Sequence, residues 1–180
     1  MSSLNTLEKN GIIVQEKIHG SNICIVGKFI NGEWLIKYGS RNRWINQDEK
    51  FHNIQSIYET YKENIINLFN ELKSFYNKEI TIRLFGEIFG GKYGTEKNNK
   101  AFRVQKEPNY CPFNDICFFD LIINGEKIDI LKTISFLKQY NLKIPPIIYK
   151  GEFKDFINNF EINSFNSKIS TELYNLPFIN

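Results

Sequence analysis

Glu16-Lys17-Ile18-His19-Gly20-Ser21-Asn22 sets a lysine in a glycine-punctuated segment directly after a short apolar run, Gly11–Val14. A lysine held there can lie against the phosphates of a nucleotide. When neutral, its amine can attack phosphorus and form a lysyl–nucleotide adduct. The same residues also read as a charged strand end with a turn glycine. Further along, Gly39-Ser40-Arg41-Asn42-Arg43-Trp44 brings two guanidinium groups around one residue, a pattern for forked hydrogen bonds to phosphate or for a solvated basic turn. Arg83-Leu84-Phe85-Gly86-Glu87-Ile88-Phe89 delivers one carboxylate between aromatic and glycine neighbours, able to accept from sugar hydroxyls or to cap a strand end. Cys117-Phe118-Phe119-Asp120-Leu121 carries an aspartate in an apolar run, where it is either paired with a cation or part of a site.

One apparent phosphate loop fails on its chemistry. Gly86 to Lys92 satisfies the spacing of a glycine-rich loop ending in lysine, but Tyr93 stands where Ser or Thr would hold magnesium. Glu87 inside that cradle would also repel phosphate. Cys24, Cys111 and Cys117 lack metal-ligand spacing, and with only two His in the chain zinc and a disulfide framework are both poor readings. Cys24 and Cys117 read as buried small hydrophobes.

The elements that must position these residues alternate strand and helix signals. Strands are expected at Gly11–Val14, Asn22–Phe29 and Glu33–Gly39, the last two joined by an Asn31-Gly32 hairpin turn. Apolar residues at three- and four-residue steps from Ile54 to Phe75 predict a helix over Ile54–Tyr76, with its stripe packed in the core. A strand at Glu79–Glu87, a glycine-rich loop at Gly90–Gly94 and a polar loop over Glu96–Tyr110 follow. Asp115–Ile123 reads as a strand ending in an Asn124-Gly125 turn, and Asp129 as the cap of a helix to Tyr140. Ile147–Tyr149 forms a strand after Pro145-Pro146, and Glu152–Asn159 and Ser167–Tyr174 read as short helices. Strands mixed with helices without regular βαβ alternation place the chain in the α+β class.

At 180 residues, the chain suits one domain with a sizeable core, rich in rings because 15% of it is aromatic. A net charge of +3 is too small to argue for a nucleic-acid partner by overall field, so any RNA surface must be a local patch. The N-terminus lacks the charged and apolar regions of a signal peptide, and no apolar run approaches the roughly 20 residues that span a bilayer. An intracellular, cytoplasmic protein with no membrane partner is expected.

The four segments, in this order, resemble the covalent nucleotidyltransferase superfamily, and most closely the ATP-dependent RNA ligase 2 type. Lys17-Ile18-His19-Gly20-Ser21-Asn22 is similar to its nucleophile motif, with His in place of the Asp usual in DNA ligases and capping enzymes. Ser40-Arg41-Asn42-Arg43, Phe85-Gly86-Glu87 and Phe118-Phe119-Asp120-Leu121 are similar to the three motifs that follow. The resemblance implies a nucleotidyltransferase (ATP-grasp-like) fold of antiparallel sheets flanked by helices. It implies an enzyme of RNA repair that joins nicked or broken RNA ends with ATP and Mg2+, through AMP carried on Lys17. It assigns nucleotide binding to Glu16, Ile18, His19, Gly20, Asn22, Arg41, Glu87 and Ile116, with no protein-borne metal ligands. Glu16 would read the adenine edge; Asn22, Arg41 and Glu87 would hold the ribose and phosphates, with Arg41 also meeting RNA. Asp120 would order the basic residues around the site, and His19 would fix the loop by hydrogen bonds. Ile116 stands where the family often has an aromatic against adenine, and Gln15 where phage-type ligases have arginine.

The family continues with a Glu-Gly-x-Val-x-Lys strand motif and a Lys-x-Lys motif, and neither occurs here. The expectation is therefore one adenylyltransferase domain over residues 1–180, incomplete at its C-terminal end. Its last strands would be missing and a separate polypeptide would be a partner for the absent motifs. Those later lysines bind the α-phosphate in the family. Their loss points to an alternative, a catalytically inactive nucleotide- or RNA-binding relative. A GTP-dependent capping enzyme fits less well, because His19 stands in place of Asp.

Overall fold

The computed structural model describes residues 11–46, 48–76, 79–93, 103–161 and 166–177. A six-stranded antiparallel sheet dominates it, in the order β4-β3-β2-β5-β6-β7. Its strands are β2 (Ser21–Ile30), β3 (Glu33–Ser40), β4 (Trp44–Ile45), β5 (Thr81–Gly90), β6 (Asn114–Ile123) and β7 (Glu126–Lys127). A second, two-stranded sheet pairs β1 (Ile12–Gln15) with β8 (Ile147–Gly151). The helices are α1 (Ile54–Ser74), α2 (Ile130–Gln139) and α3 (Phe153–Asn159), and a π-helical turn covers Ile169–Leu173. This is the antiparallel α+β architecture expected from the sequence.

Alternation along β2 sends Ile23 and Ile25 to one face, where α1 lays down Ile57, Tyr61, Ile65, Leu68, Phe69 and Leu72. Gly27 continues that face, and a Cβ there would come within 2.4 Å of the Phe69 ring, so the close approach of helix to sheet requires glycine. The Asn31-Gly32 turn has positive φ at both residues (50° and 90°), the geometry that matches the twist of a tight hairpin. Asp129 caps α2 as expected, its carboxylate accepting from the N–H groups of Leu131 (2.9 Å) and Lys132 (3.3 Å).

Three expectations change. β5 runs three residues beyond Glu87, because Ile88 and Phe89 still pair with Ile116 and Asp115 of β6. The glycine turn comes only at Gly90 and Gly91, both at positive φ. Ser167–Tyr174 is no ordinary helix: its first residues are held by side-chain and tertiary contacts, and only Ile169–Leu173 coils, as a π-turn. Cys117 is buried as expected, whereas alternation turns Cys24 to the outer face, where it is half-exposed. Of the expected loop Glu96–Tyr110, residues 96–102 lie outside the described residues. Among the described residues no helix is long and apolar enough to cross a membrane.

Candidate nucleotide-binding site

The lysine segment is held at alternate residues. Glu16 and Ile18 are buried at 6% exposure each, while Lys17 and His19, which alternate with them, are exposed. The entry is fixed by the Glu16 N–H donating to the Pro146 carbonyl (2.9 Å) and the Gln15 amide donating to Pro145 (3.2 Å). Glu16 accepts from the Ser167 hydroxyl at 2.5 Å and the Lys168 N–H at 2.9 Å. Ile18 enters a small second core with Phe89, Tyr110, Cys111, Cys117 and Ile169. The exit is fixed by the backbone N–H of His19, which donates to the Tyr110 hydroxyl at 3.0 Å. The bond that holds the loop at His19 is a backbone one, and the residue itself is exposed.

Gly20 meets its neighbour more closely than any side chain would allow. A Cβ there would lie 2.1 Å from the Ile88 carbonyl oxygen, and the Gly20 N–H donates to Glu87 Oε1 at 3.1 Å. Asn22 and Glu87 then face each other across β2 and β5. Burial pushes the Glu87 carboxyl above its ordinary range. The Gly20 N–H, the Asn22 side chain and the charges of His19 and Lys17 pull it back down.

Gln15, Glu16, Lys17, Ile18, His19, Asn22, Arg41, Glu87, Phe119 and Pro145 line one cleft of about 870 Å³. That is within the size range of pockets that hold small ligands. Seven of the residues singled out by sequence meet there, and Gly20 is joined to one of them, Glu87, by its N–H. Two do not. Ile116 is fully buried in the helix-backed core, its side chain against Gly86, and does not line the cleft. Asp120 is paired instead with Lys127 at 2.8 Å, outside the cleft lining. Arg43 is also committed elsewhere, in a forked pair with Glu49, so of the two arginines only Arg41 lines the cleft.

Phe119 is the aromatic that sequence reading passed over. The register of β6 against β5 shifts there: Gly86 faces Phe118 and Phe85 faces Asp120, with Phe119 as the extra residue. Phe118 and Leu121, three apart, consequently both face the core. Simple alternation breaks at the bulge, and Phe119 comes to line the cleft. The adjacent phenylalanines were the available signal, but nothing in the pattern tells which of them the bulge turns outward.

The second missed group holds the C-terminal segment against the site. Asp115 accepts from Tyr61 (2.7 Å), Tyr174 (2.8 Å) and Lys143 (2.5 Å). Ser170 donates to the Tyr110 carbonyl at 2.7 Å. Burial and the Asp115 charge push the Cys111 thiol up to about 12 and Cys117 well above its usual range, so neither supplies a thiolate at neutral pH. Among the described residues, no three His, Cys, Asp or Glu side chains converge to hold a metal.

The RNA ligase family model matches residues 10–172. The chain belongs to the RNA ligase family. No curated protein matches it by sequence. Among solved structures, a variant RNA ligase of Naegleria gruberi with AMP and manganese aligns at TM-score 0.56 and 17% identity, over 84% of this chain and 40% of that one. A variant without ligand aligns at TM-score 0.54 and 19% identity, over 84% and 41%. Another with ATP and manganese aligns at 0.53 and 17%, over 84% and 40%. This chain thus shares the nucleotidyltransferase-like fold of an RNA ligase and spans about 40% of the length of those chains.

Proposed function

We propose that residues 1–180 form the nucleotide-binding, lysine-bearing unit of an ATP-dependent RNA ligase, with ATP and RNA ends as substrates. The observation that carries this reading is the convergence of Lys17, Arg41, Glu87, Asn22 and Phe119 on one cleft. Phe119 offers an aromatic wall for adenine, and Glu16 and Glu87 offer acceptors for its amino group and for ribose hydroxyls. Arg41 and Lys17 offer cations for the phosphates. Ligases of Naegleria gruberi with ATP or AMP and manganese are consistent with this choice of nucleotide and divalent ion. Magnesium bound with the triphosphate would neutralise the pyrophosphate leaving group.

In the step assigned to Lys17, its neutral amine attacks the α-phosphorus. A phosphorus–nitrogen bond forms, the bond to the β-phosphate oxygen breaks, pyrophosphate leaves and the amine proton passes to solvent. Among the described residues, Arg41 is the only arginine lining the cleft, and Lys17 the only lysine. A developing phosphoryl charge with few preorganised cations reacts orders of magnitude more slowly. That scarcity favours a second reading, a relative that binds nucleotide without turning it over.

Incubation with α-labelled ATP and Mg2+ tests both. ATP is expected to bind reversibly, with covalent label well below one AMP per chain and none in Lys17→Ala. Absence of ATP binding would refute the nucleotide site, and label undiminished in Lys17→Ala would refute the assigned nucleophile. Binding with no covalent label at all selects the second reading.

A further inference from the structure

The two faces of the six-stranded sheet carry opposite chemistry. One is the apolar face under α1. On the other, the register Lys37–Val26–Arg83–Ile122–Lys127 runs straight across five strands, β3, β2, β5, β6 and β7. Lys28 stands two residues along from Val26, on that same face. The next row towards the cleft is Trp44–Gly39–Cys24–Phe85, and the row after it holds Asn22 and Glu87 of the cleft itself. The basic face is therefore continuous with the candidate nucleotide site.

Acidic partners cover only part of it: Asp120 pairs with Lys127 at 2.8 Å and Glu79 with Lys28 at 3.6 Å. Among the described residues, no ion pair engages Lys37, Arg41 or Arg83. The Arg83 charge acts on that row, where it partly offsets the burial that pushes the Cys24 thiol up to about 11. Trp44 is 60% exposed, and a Cβ on Gly39 would lie only 3.5 Å from its ring. The indole therefore lies against the strand at Gly39 and leaves most of the residue's surface exposed. Lys37 and Arg83, two strands apart, are separated by about 10 Å across the sheet, and the Trp44 row lies about 7 Å further along the strands.

We propose that this face is the path of a single RNA strand leaving the cleft, its phosphates on Arg83 and Lys37 and one base stacked on the exposed Trp44. An exposed indole beside unpaired cations is the combination that binds single-stranded nucleic acid through stacking and backbone charge. With a net charge of only +3, the attraction must come from such a local face. The proposal names the RNA path of the site proposed above and rests on that reading.

The test is fluorescence anisotropy of a labelled, 5′-phosphorylated oligouridylate over a salt series, with ATP binding measured on the same proteins. Lys37→Ala/Arg83→Ala should bind RNA about tenfold more weakly and flatten the slope of log K against log salt by about 1.4, about 0.7 for each lost phosphate contact. Trp44→Ala should also lose about tenfold, with the slope unchanged. RNA should quench the fluorescence of Trp44 in a Trp34→Phe background. Lys62→Ala, on the exposed side of α1, should match the wild type. All of these variants should keep ATP binding, because none of the substituted residues lines the cleft. An unchanged affinity and slope in Lys37→Ala/Arg83→Ala overturns the proposal. So does a wild type that binds ATP but no RNA. RNA binding with the expected slopes but without ATP binding supports this surface and refutes the nucleotide reading of the cleft.

Discussion

The helix-backed core and the smaller core under Lys17 are built by different means. The first joins long elements through local patterns: α1 runs Ile54–Ser74 with an apolar stripe, and the hairpin and strands it covers alternate regularly. The second draws one or two residues from each of five places in the chain, Ile18, Phe89, Tyr110 with Cys111, Cys117, and Ile169. Its polar ties are equally scattered, with Glu16 reaching 151 residues to Ser167 and Tyr174 reaching 59 to Asp115. One core joins the sheet to α1, and the other holds the Lys17 segment in place. A loop that must present exposed residues at alternate positions needs anchors between them, and here those anchors are supplied by remote segments.

Two substitutions should separate these roles. Phe69→Ala empties a fully buried aromatic site in the first core and should cost about 4 kcal/mol. Thermal or urea unfolding would show it, while the fraction still folded keeps its ATP affinity. Ile169→Ala removes a fully buried side chain from the second core and should cost about 3 kcal/mol. Here ATP affinity should fall even at temperatures where the far-UV spectrum is intact, because Ile18 loses its packing partner. Equal effects of the two variants on ATP affinity per folded molecule would erase the distinction.

The same difference explains what the sequence made legible. Helix α1, the Asn31-Gly32 turn and the Asp129 cap are local signals, and each appears where its residues predict it. The motif residues Lys17, Asn22, Arg41 and Glu87 converge on the cleft because β2, β3 and β5 are neighbours in one sheet. Ile116 and Asp120 fall elsewhere, because the Phe119 bulge changes which β6 side chains face the cleft, and a bulge has no sequence period. The Ser167 tie to Glu16 and the Asp115 cluster were illegible for another reason. They depend on loops returning from far along the chain, and no local spacing records that.

The smallest expected effect lies where stability and binding oppose each other, at Glu87. Burial raises its carboxyl pKa in the folded chain above the ordinary 4.5. Between that value and the raised one, the folded protein keeps a proton that the unfolded chain has released. Wild-type stability therefore declines as pH rises through this window, and the penalty is complete above the folded value. Glu87→Gln has no such charge to bury, and its carbonyl can still accept the Gly20 N–H. Its melting temperature relative to wild type should climb from acid pH and level off near neutrality. ATP binding should weaken in the same variant, because a neutral amide is a poorer acceptor for ribose hydroxyls than a carboxylate. A melting difference that does not vary with pH would show that the buried charge is not strained. A gain in stability with ATP affinity unchanged would remove Glu87 from the nucleotide site and leave it as a prop for Gly20.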